Sequence, residues 1–396
     1  MKSEKKVAVV GAGIGGLTAA LSLYRAGLAV EVYEQAPELT TIGGGINMGA
    51  NAVRVLYRLG LAEGMEREGV LPAEHHTRRW DDGRTLQRSP VNPRCVELYG
   101  APHVTIHRAD LLSVIAAGFP PGRVHLGHRL LRFEDKGEAI EAWFENGAHV
   151  AADVLVGADG IHSAVRAQLF GDEAPVFAGC VAYRGLVPIE RVRHLGVDRG
   201  NQSWLGPGAH LVHYPVSAGR LLNFVGWTEH DAWSREDWTD RATVGRALAA
   251  FEGWHGQIRE IIGAADAAFI WALFDRDPLP RWSRGRVTLL GDACHPMYPF
   301  MGQGAAQAIE DGATLAACLA AGGGVEAALI RYETLRLPRV TRLQEMSRAN
   351  KTRFHMRDGP GQQARDAEWR EAADRSPEAL SWLYGFDAGV PERAPA

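Results

Sequence analysis

Apolar residues along this chain change their spacing several times, and each change predicts an element. Residues 6–10 form a short β-branched run that ends in glycine, as expected of a strand buried on both faces of a parallel sheet. Residues 17–26 have helical composition with Gly27 placed to stop them, and residues 30–33 turn apolar again, so the chain opens on a strand–helix–strand unit. A helix is predicted over residues 110–117. Residues 130–133, 139–144 and 149–156 read as a meander of strands, with turns at Asp135-Lys136-Gly137 and Glu145-Asn146-Gly147. From about 175 to 279 the texture shifts to strand-like segments (181–187, 209–216, 221–227) between Gly, Pro and Ser turns. That predicts a second, antiparallel sheet. Residues 287–290 return to an apolar strand, 303–321 form a long helix, and a further helical stretch from Val325 to about Lys351 is expected to break near Pro338. The polar tail after Arg357 reads as surface covering or partly disordered chain.

The fold class that follows is α/β: a Rossmann-like nucleotide-binding domain with an interleaved antiparallel-sheet domain and C-terminal helices. The expected spans are 1–174 and 281–352 for the first domain, 175–280 for the sheet domain, and 353–396 for the tail. A length of 396 residues with 46% hydrophobic and 23% charged residues supports cores of this size. The formal net charge of −4 gives no reason to expect nucleic acid or an anionic membrane as a partner. No run of apolar residues is long enough for a membrane span, and the apolar stretch behind Lys6 is too short for a signal peptide. The four cysteines, Cys95, Cys180, Cys294 and Cys318, lack metal-type spacing, and His75-His76 adds none, so a reduced, cytoplasmic, metal-free protein is expected, as a monomer or homodimer.

Chemistry enters with Gly11-Ala12-Gly13-Ile14-Gly15-Gly16, a GxGxxG segment directly after a strand and before a helix. The first glycine permits a tight turn, the second admits a pyrophosphate to the backbone, and the last lets helix and strand pack closely. The pyrophosphate would rest on unsatisfied N–H groups at the helix start. Glu34 ends the second strand, where its carboxylate can accept from ribose hydroxyls, with Gln35 beside it. A merely structural glycine turn would leave Glu34 without a purpose. The motif predicts a dinucleotide but does not choose between NAD and FAD.

Two later segments do. Gly157-Ala158-Asp159-Gly160 follows an apolar strand, and Gly291-Asp292-Ala293-Cys294-His295-Pro296 follows another, with Gly302-Gln303-Gly304-Ala305 at a helix start. Singly, each aspartate could be an N-cap. Together with the first motif, and in this order over residues 5–350, they resemble the single-component flavoprotein aromatic hydroxylases of the para-hydroxybenzoate hydroxylase type, and more narrowly those acting on salicylate, 3-hydroxybenzoate and 6-hydroxynicotinate. The resemblance implies FAD, with its ADP end on Gly11, Gly13, Ile14, Gly16 and Glu34 and its ribitol on Asp292. It implies further that Arg108 reaches the flavin side chain or pyrophosphate, that the Leu130 backbone meets the adenine, and that Asp159 serves FAD and NAD(P)H binding. Gly45, Ile46 and Asn47 would pass the isoalloxazine, and Gly302, Gly304 and Ala305 would aim a helix N-terminus at it.

The implied reaction is hydroxylation of a small phenolic or hydroxypyridine carboxylate with NADH or NADPH and O2, through a C4a-hydroperoxyflavin. Such chemistry needs a base near the substrate hydroxyl and exclusion of water. In Ala209-His210-Leu211-Val212-His213-Tyr214-Pro215, period-two alternation puts His210, Val212 and Tyr214 on one strand face and His213 on the other. His210 with Tyr214 is the predicted catalytic pair, with His213 in reserve against the plainer reading of a satisfied core histidine. Gln303 is a further candidate for substrate contact, against a solvent-facing helix start. Asn47 stands where the resemblance to hydroxynicotinate hydroxylases calls for histidine, and asparagine is no base. Cys294 and His295 read as scaffold. The alternatives are an FAD oxidase, reductase or epoxidase on a non-phenolic substrate, and a non-enzymatic binding protein of related fold. Intact Gly11, Glu34 and Asp292 speak against the last.

Overall fold

The computed structural model describes residues 5–39, 43–197, 200–231, 241–371 and 377–389. Its six-stranded sheet runs, from one edge, Ser283–Arg284, Val287–Leu289, Val154–Gly157, Lys6–Val10, Ala29–Tyr33, Val124–His125. All neighbours are parallel except the Ser283–Arg284 edge hairpin. Val9 sits between Val32 and Val156 in register, and all three are fully buried, which is why this stretch carries no alternation.

The strand expected over 149–156 is two strands. His149–Ala152 belongs to a small antiparallel sheet and Val154–Gly157 to the parallel one. Asp153 makes the transfer: its N–H donates to Lys6 O at 2.8 Å and its carboxylate accepts the Lys6 N–H at 2.7 Å. The burial pattern changes at the same residue, from alternating to continuous.

The helix Ile14–Arg25 crosses Gly304–Ala320 at backbone contact, since a Cβ on Gly312 would lie 2.8 Å from Ala19 Cα. A Cβ on Gly15 would likewise press Ala308 at 2.9 Å. These contacts bring the starts of both helices to the same side of the sheet. The helix Val325–Phe354 does not break at Pro338 but runs through it. A proline inside a helix costs roughly 3 kcal/mol; here buried Tyr332 and Arg336 before it and Val340 and Leu343 after it hold both halves against the core.

The second sheet has eight strands: Arg241–Ala242, Ala268–Asp275, Val176–Pro188, Leu221–Glu229, Ala209–Val216, Gly200–Gly206, Glu74–Arg79 and Thr85–Pro90. The last two, which the sequence pattern left unassigned, join through parallel pairing of Glu74–Arg79 with Gly200–Gly206. One face of this sheet carries Tyr183, Trp204, Leu211 and Phe224, packed under Phe251, Trp254, Ile258 and Ile261 from the helical segment behind it. The opposite face turns toward the first domain.

The described part of the tail is packed on the core. Pro360–Glu371 is a helix that buries Trp369, and Arg339 donates to the carbonyls of Trp382 and Leu383, each at 2.8 Å, tying residues 381–384 to the core. Among the described residues no helix is long and apolar enough to cross a membrane.

Candidate active site

At the nucleotide end, the glycines are demanded by contact. Gly11 has φ +101°, and a Cβ there would lie 2.4 Å from Ala158 O; one on Gly16 would lie 1.9 Å from Gly11 O. A Cβ on Gly13, in contrast, would meet nothing within 4 Å. Gly13 is the N-cap of Ile14–Arg25, which has no capping side chain and no acidic residue in its first turn. Open space over uncapped N–H groups fits a pyrophosphate. Glu34 is fixed beside it, its two oxygens accepting from Ala12 N at 2.7 Å and Ala36 N at 2.9 Å. Each oxygen keeps a lone pair for a ribose hydroxyl. Gln35 is exposed next to it, and buried Leu130 pairs with Phe144, whose ring packs on Tyr33. The Asp159 carboxylate accepts from Ser163 Oγ at 2.5 Å and Val165 N at 3.2 Å, so it secures the start of the helix Ala164–Phe170 beside the Gly11 turn.

At the flavin end, Arg108 and Asp292 face one another across the groove with no side-chain hydrogen bond to any described residue. The Asp292 side chain keeps an open surface, yet the protein packed around it raises its carboxyl above its ordinary value, against the pull of His295 and Arg108, and burial lowers Arg108. Two opposite charges held apart and unpaired fit a ligand with hydroxyls and phosphate between them. The loop ahead of the strand Gly45–Met48 is strapped to this arginine, with Arg108 N donating to Gly44 O at 3.0 Å. Its glycines are again forced, since a Cβ on Gly44 would lie 2.6 Å from both Arg184 Nη2 and Asn223 Oδ1, and one on Gly45 only 2.4 Å from Tyr214 Cε2. Gly302 (φ +61°) turns the chain into Gly304–Ala320, whose N-cap Gln303 makes no capping bond. With Gly302, Gly304, Ala305, Ile46 and Asn47 partly open, the residues present fit FAD along their whole run.

Beyond Gly45 the inner sheet face forms a cleft. Val212 and its cross-strand partner Val225 are partly exposed although they lie mid-strand in the sheet interior, so they mark its floor. His210 pairs with Trp227 at one end, and Tyr214 with Asn223 at the other. Arg184 adjoins Val225, with its guanidinium 4.9 Å from the centroid of Trp271. Phe300 covers the His210 end, at 5.0 Å between centroids. Burial pushes the Tyr214 phenol up, against the pull of Arg184, so it serves as a donor; burial brings Arg184 down to about 10. His210 is held well below the ordinary histidine range by burial and then by His355, which leaves a neutral imidazole. The expected pair thus lies on one face and lines one cleft.

His213 does not reach it. It faces the opposite side of the sheet, where Trp204 Nε1 donates to its Nε2 at 3.3 Å and burial lowers it to about 3. Gln303 is buried rather than solvent-facing: its Oε1 accepts from Asn51 at 3.2 Å and Gln307 at 3.0 Å, and its amide nitrogen donates to no described residue. It belongs to a buried network in which Arg336 binds Asp311, at 2.7 Å, and Glu310. Cys294, His295 and Asp311 come within 4.8 Å of one another. Asp311 is already committed to Arg336 and to His295 at 2.6 Å.

Several site residues carried no usable sequence signal. Asn201 Nδ2 donates to Asn47 Oδ1 at 2.7 Å, and His103 Nε2 lies 3.4 Å from the same oxygen. Asn223 Oδ1 accepts from Gly45 N at 2.7 Å. Asn201 Oδ1 and Asn223 Nδ2 are buried without a partner. Alternation in residues 221–227 gives the face of Asn223; nothing local gives the others.

A family model described as an FAD binding domain matches residues 4–347, and the chain belongs to that family. It is an FAD-dependent aromatic monooxygenase, with NAD(P)H as the family's reductant. It is 44% identical over 387 residues to a 3-amino-4-hydroxybenzoate 2-monooxygenase of Streptomyces platensis, covering 98% of this chain and 97% of the relative. A 6-hydroxynicotinate 3-monooxygenase of Pseudomonas fluorescens is 35% identical over 98% of this chain and 96% of its own. Among solved structures, a salicylate hydroxylase substrate complex superposes with a TM-score of 0.84 at 28% identity, covering 98% of this chain and 97% of that one.

Proposed function

We propose that the protein hydroxylates a small phenolic carboxylate bearing a ring amino group, of the 3-amino-4-hydroxybenzoate type. Bound FAD, reduced by NAD(P)H, supplies the activated oxygen from O2. The chain's own residues bind and prepare the ring. His210 and Tyr214 are four residue steps apart, about 13 Å along the strand, which leaves room for one substituted ring with a hydrogen bond at each end. Tyr214, Arg184 and Asn223 Nδ2 are all donors and suit the carboxylate. His210, neutral and buried, takes the hydroxyl proton at Nε2, for which no described residue competes. Val212, Val225 and Phe300 keep water from the ring.

The observation that carries the amino group is Asn201 Oδ1, a buried acceptor with no partner, beside Asn47. A ring N–H would satisfy it, whereas an unsubstituted ring would leave it unpaired at a cost of roughly 1–3 kcal/mol. Asn47 supplies no base and spends its oxygen on Asn201, which argues against a hydroxynicotinate. Four buried free cysteines support a reducing, cytoplasmic setting. The test is substrate-stimulated NAD(P)H oxidation over amino-, hydroxy- and aminohydroxybenzoates and 6-hydroxynicotinate, scored by product mass. A product of 3-amino-4-hydroxybenzoate with one added oxygen is expected, at higher kcat/KM than from 4-hydroxybenzoate. No oxygenated product from any member of the panel would sink the proposal.

A further inference from the structure

His210 has a second nitrogen, and it leads away from the cleft. His210 Nδ1 lies 2.7 Å from His355 Nε2, and both rings are buried. His355 caps the C-terminal end of Val325–Phe354, held by Gly208 N donating to its carbonyl at 3.0 Å. On its far side, His355 Nδ1 is buried without a hydrogen bond and faces Glu229 Oε1 at 3.7 Å. The Glu229 side chain is 36% exposed and pairs with exposed Arg357 at 2.6 Å. The series runs from cleft to surface through three elements: the strands Ala209–Val216 and Leu221–Glu229, and the end of the long helix.

Two neutral imidazoles at this distance must share one proton, so the outermost group sets the tautomer of the innermost. A carboxylate opposite His355 Nδ1 favours N–H there. His355 Nε2 is then the lone pair, His210 Nδ1–H donates to it, and His210 Nε2 presents a lone pair to the cleft. That is the tautomer a base requires. The other groups facing His355 are cationic: Lys351 on its own helix and Arg357 after it. Together with burial, the larger influence, they lower it to about 4. His355 therefore passes a proton on rather than storing it.

We infer that His355 is a positioning and proton-relay residue that sets the His210 tautomer and links the cleft to solvent through Glu229; this rests on the phenolic substrate proposed above. The substrate O–H bond breaks as His210 Nε2 gains the proton. His210 Nδ1–H passes to His355 Nε2, and His355 Nδ1–H leaves to Glu229 or, since 3.7 Å exceeds a hydrogen bond, to a bridging water. The result is a phenolate in the cleft and one proton in solvent, with nothing oxidised or reduced.

The test uses FAD-loaded wild type, His355→Gln and Glu229→Gln. The readouts are the pH profile of kcat and the ultraviolet titration of bound substrate from phenol to phenolate. His355→Gln should lower kcat at neutral pH about tenfold or more, the effect of moving the substrate's bound pKa up by about one unit, while KM and flavin content change little. Its phenolate band should appear at correspondingly higher pH. Glu229→Gln, at a part-exposed site that cannot upset the core, should shift both readouts in the same direction by less. Wild-type kcat profiles and phenolate titration in both variants would overturn the relay. Absence of turnover in the wild type itself would instead strike the substrate proposal, and the phenolate titration would still judge the relay.

Discussion

The two faces of the eight-stranded sheet are built from the same strands, one residue out of step, and do opposite work. On the outer face Trp204, Leu211, His213 and Phe224 are covered by helices, and an indole N–H donates to His213 Nε2 while its Nδ1 is left as a buried nitrogen without a partner. On the inner face polar atoms are left over: Asn201 Oδ1 and Asn223 Nδ2 lack partners, Arg184 stacks on Trp271 rather than on a carboxylate, and Val212 and Val225 keep part of their surface. Buried polar groups without partners cost stability, so a face that keeps several is organised around something that will satisfy them. The contrast between His210 and His213 distills it: position along the strand, not residue type, separates the proposed base from a structural histidine.

Substitutions can break that contrast. The largest expected effect is His210→Ala, which should slow hydroxylation by ~10²- to 10⁴-fold, the usual contribution of a positioned base, with FAD retained; stopped-flow and product analysis would measure it. Arg336→Met comes next. It takes a buried cation from both Glu310 and Asp311, leaving Glu310 to Arg339 and Asp311 to His295, and a loss of about 3–5 kcal/mol in chemical denaturation is expected. His213→Leu should cost about 1–3 kcal/mol by orphaning the Trp204 N–H, and should leave hydroxylation per folded molecule close to wild type. A gentler probe is pH. His103, His210, His213 and His355 are all lowered from 6.5, first by burial. The unfolded chain therefore binds protons below about 6.5 that the folded chain refuses, so stability should be full above that pH and fall steadily toward about 4, the lowered value of His103 and His355. A melting temperature that is flat over this window would contradict these burials. The smallest effect is Asn201→Leu, which should narrow the preference for an amino-substituted ring without removing turnover.

The nucleotide half of the molecule was legible in the sequence because backbone geometry dictates residue type there. Gly11, Gly16 and Gly45 each exclude a Cβ, and Glu34 follows its strand at the position where the sequence motif expects a ribose. Asp159 was legible as part of a motif, but only the fold reveals that its oxygens also accept from Ser163 and Val165. In the cleft, strand alternation located His210 and Tyr214 and separated them from His213. Asn201, His103 and His355 were invisible because they arrive from distant segments whose local pattern is unremarkable. Pro338 misled for a related reason: tertiary packing on both sides of it outweighs a local breaker. The burial of Gln303 was not legible either, because the position at a helix start says nothing of which neighbours claim its carbonyl oxygen.

The most direct test of the whole account compares wild type, His210→Ala and His213→Ala as FAD-loaded proteins, measuring oxygenated product formed per NAD(P)H consumed with 3-amino-4-hydroxybenzoate. Coupled turnover in wild type and His213→Ala, with slow or uncoupled turnover in His210→Ala, is the predicted result. Equal, coupled turnover in all three would show that the inner face of the sheet is not where the chemistry is prepared.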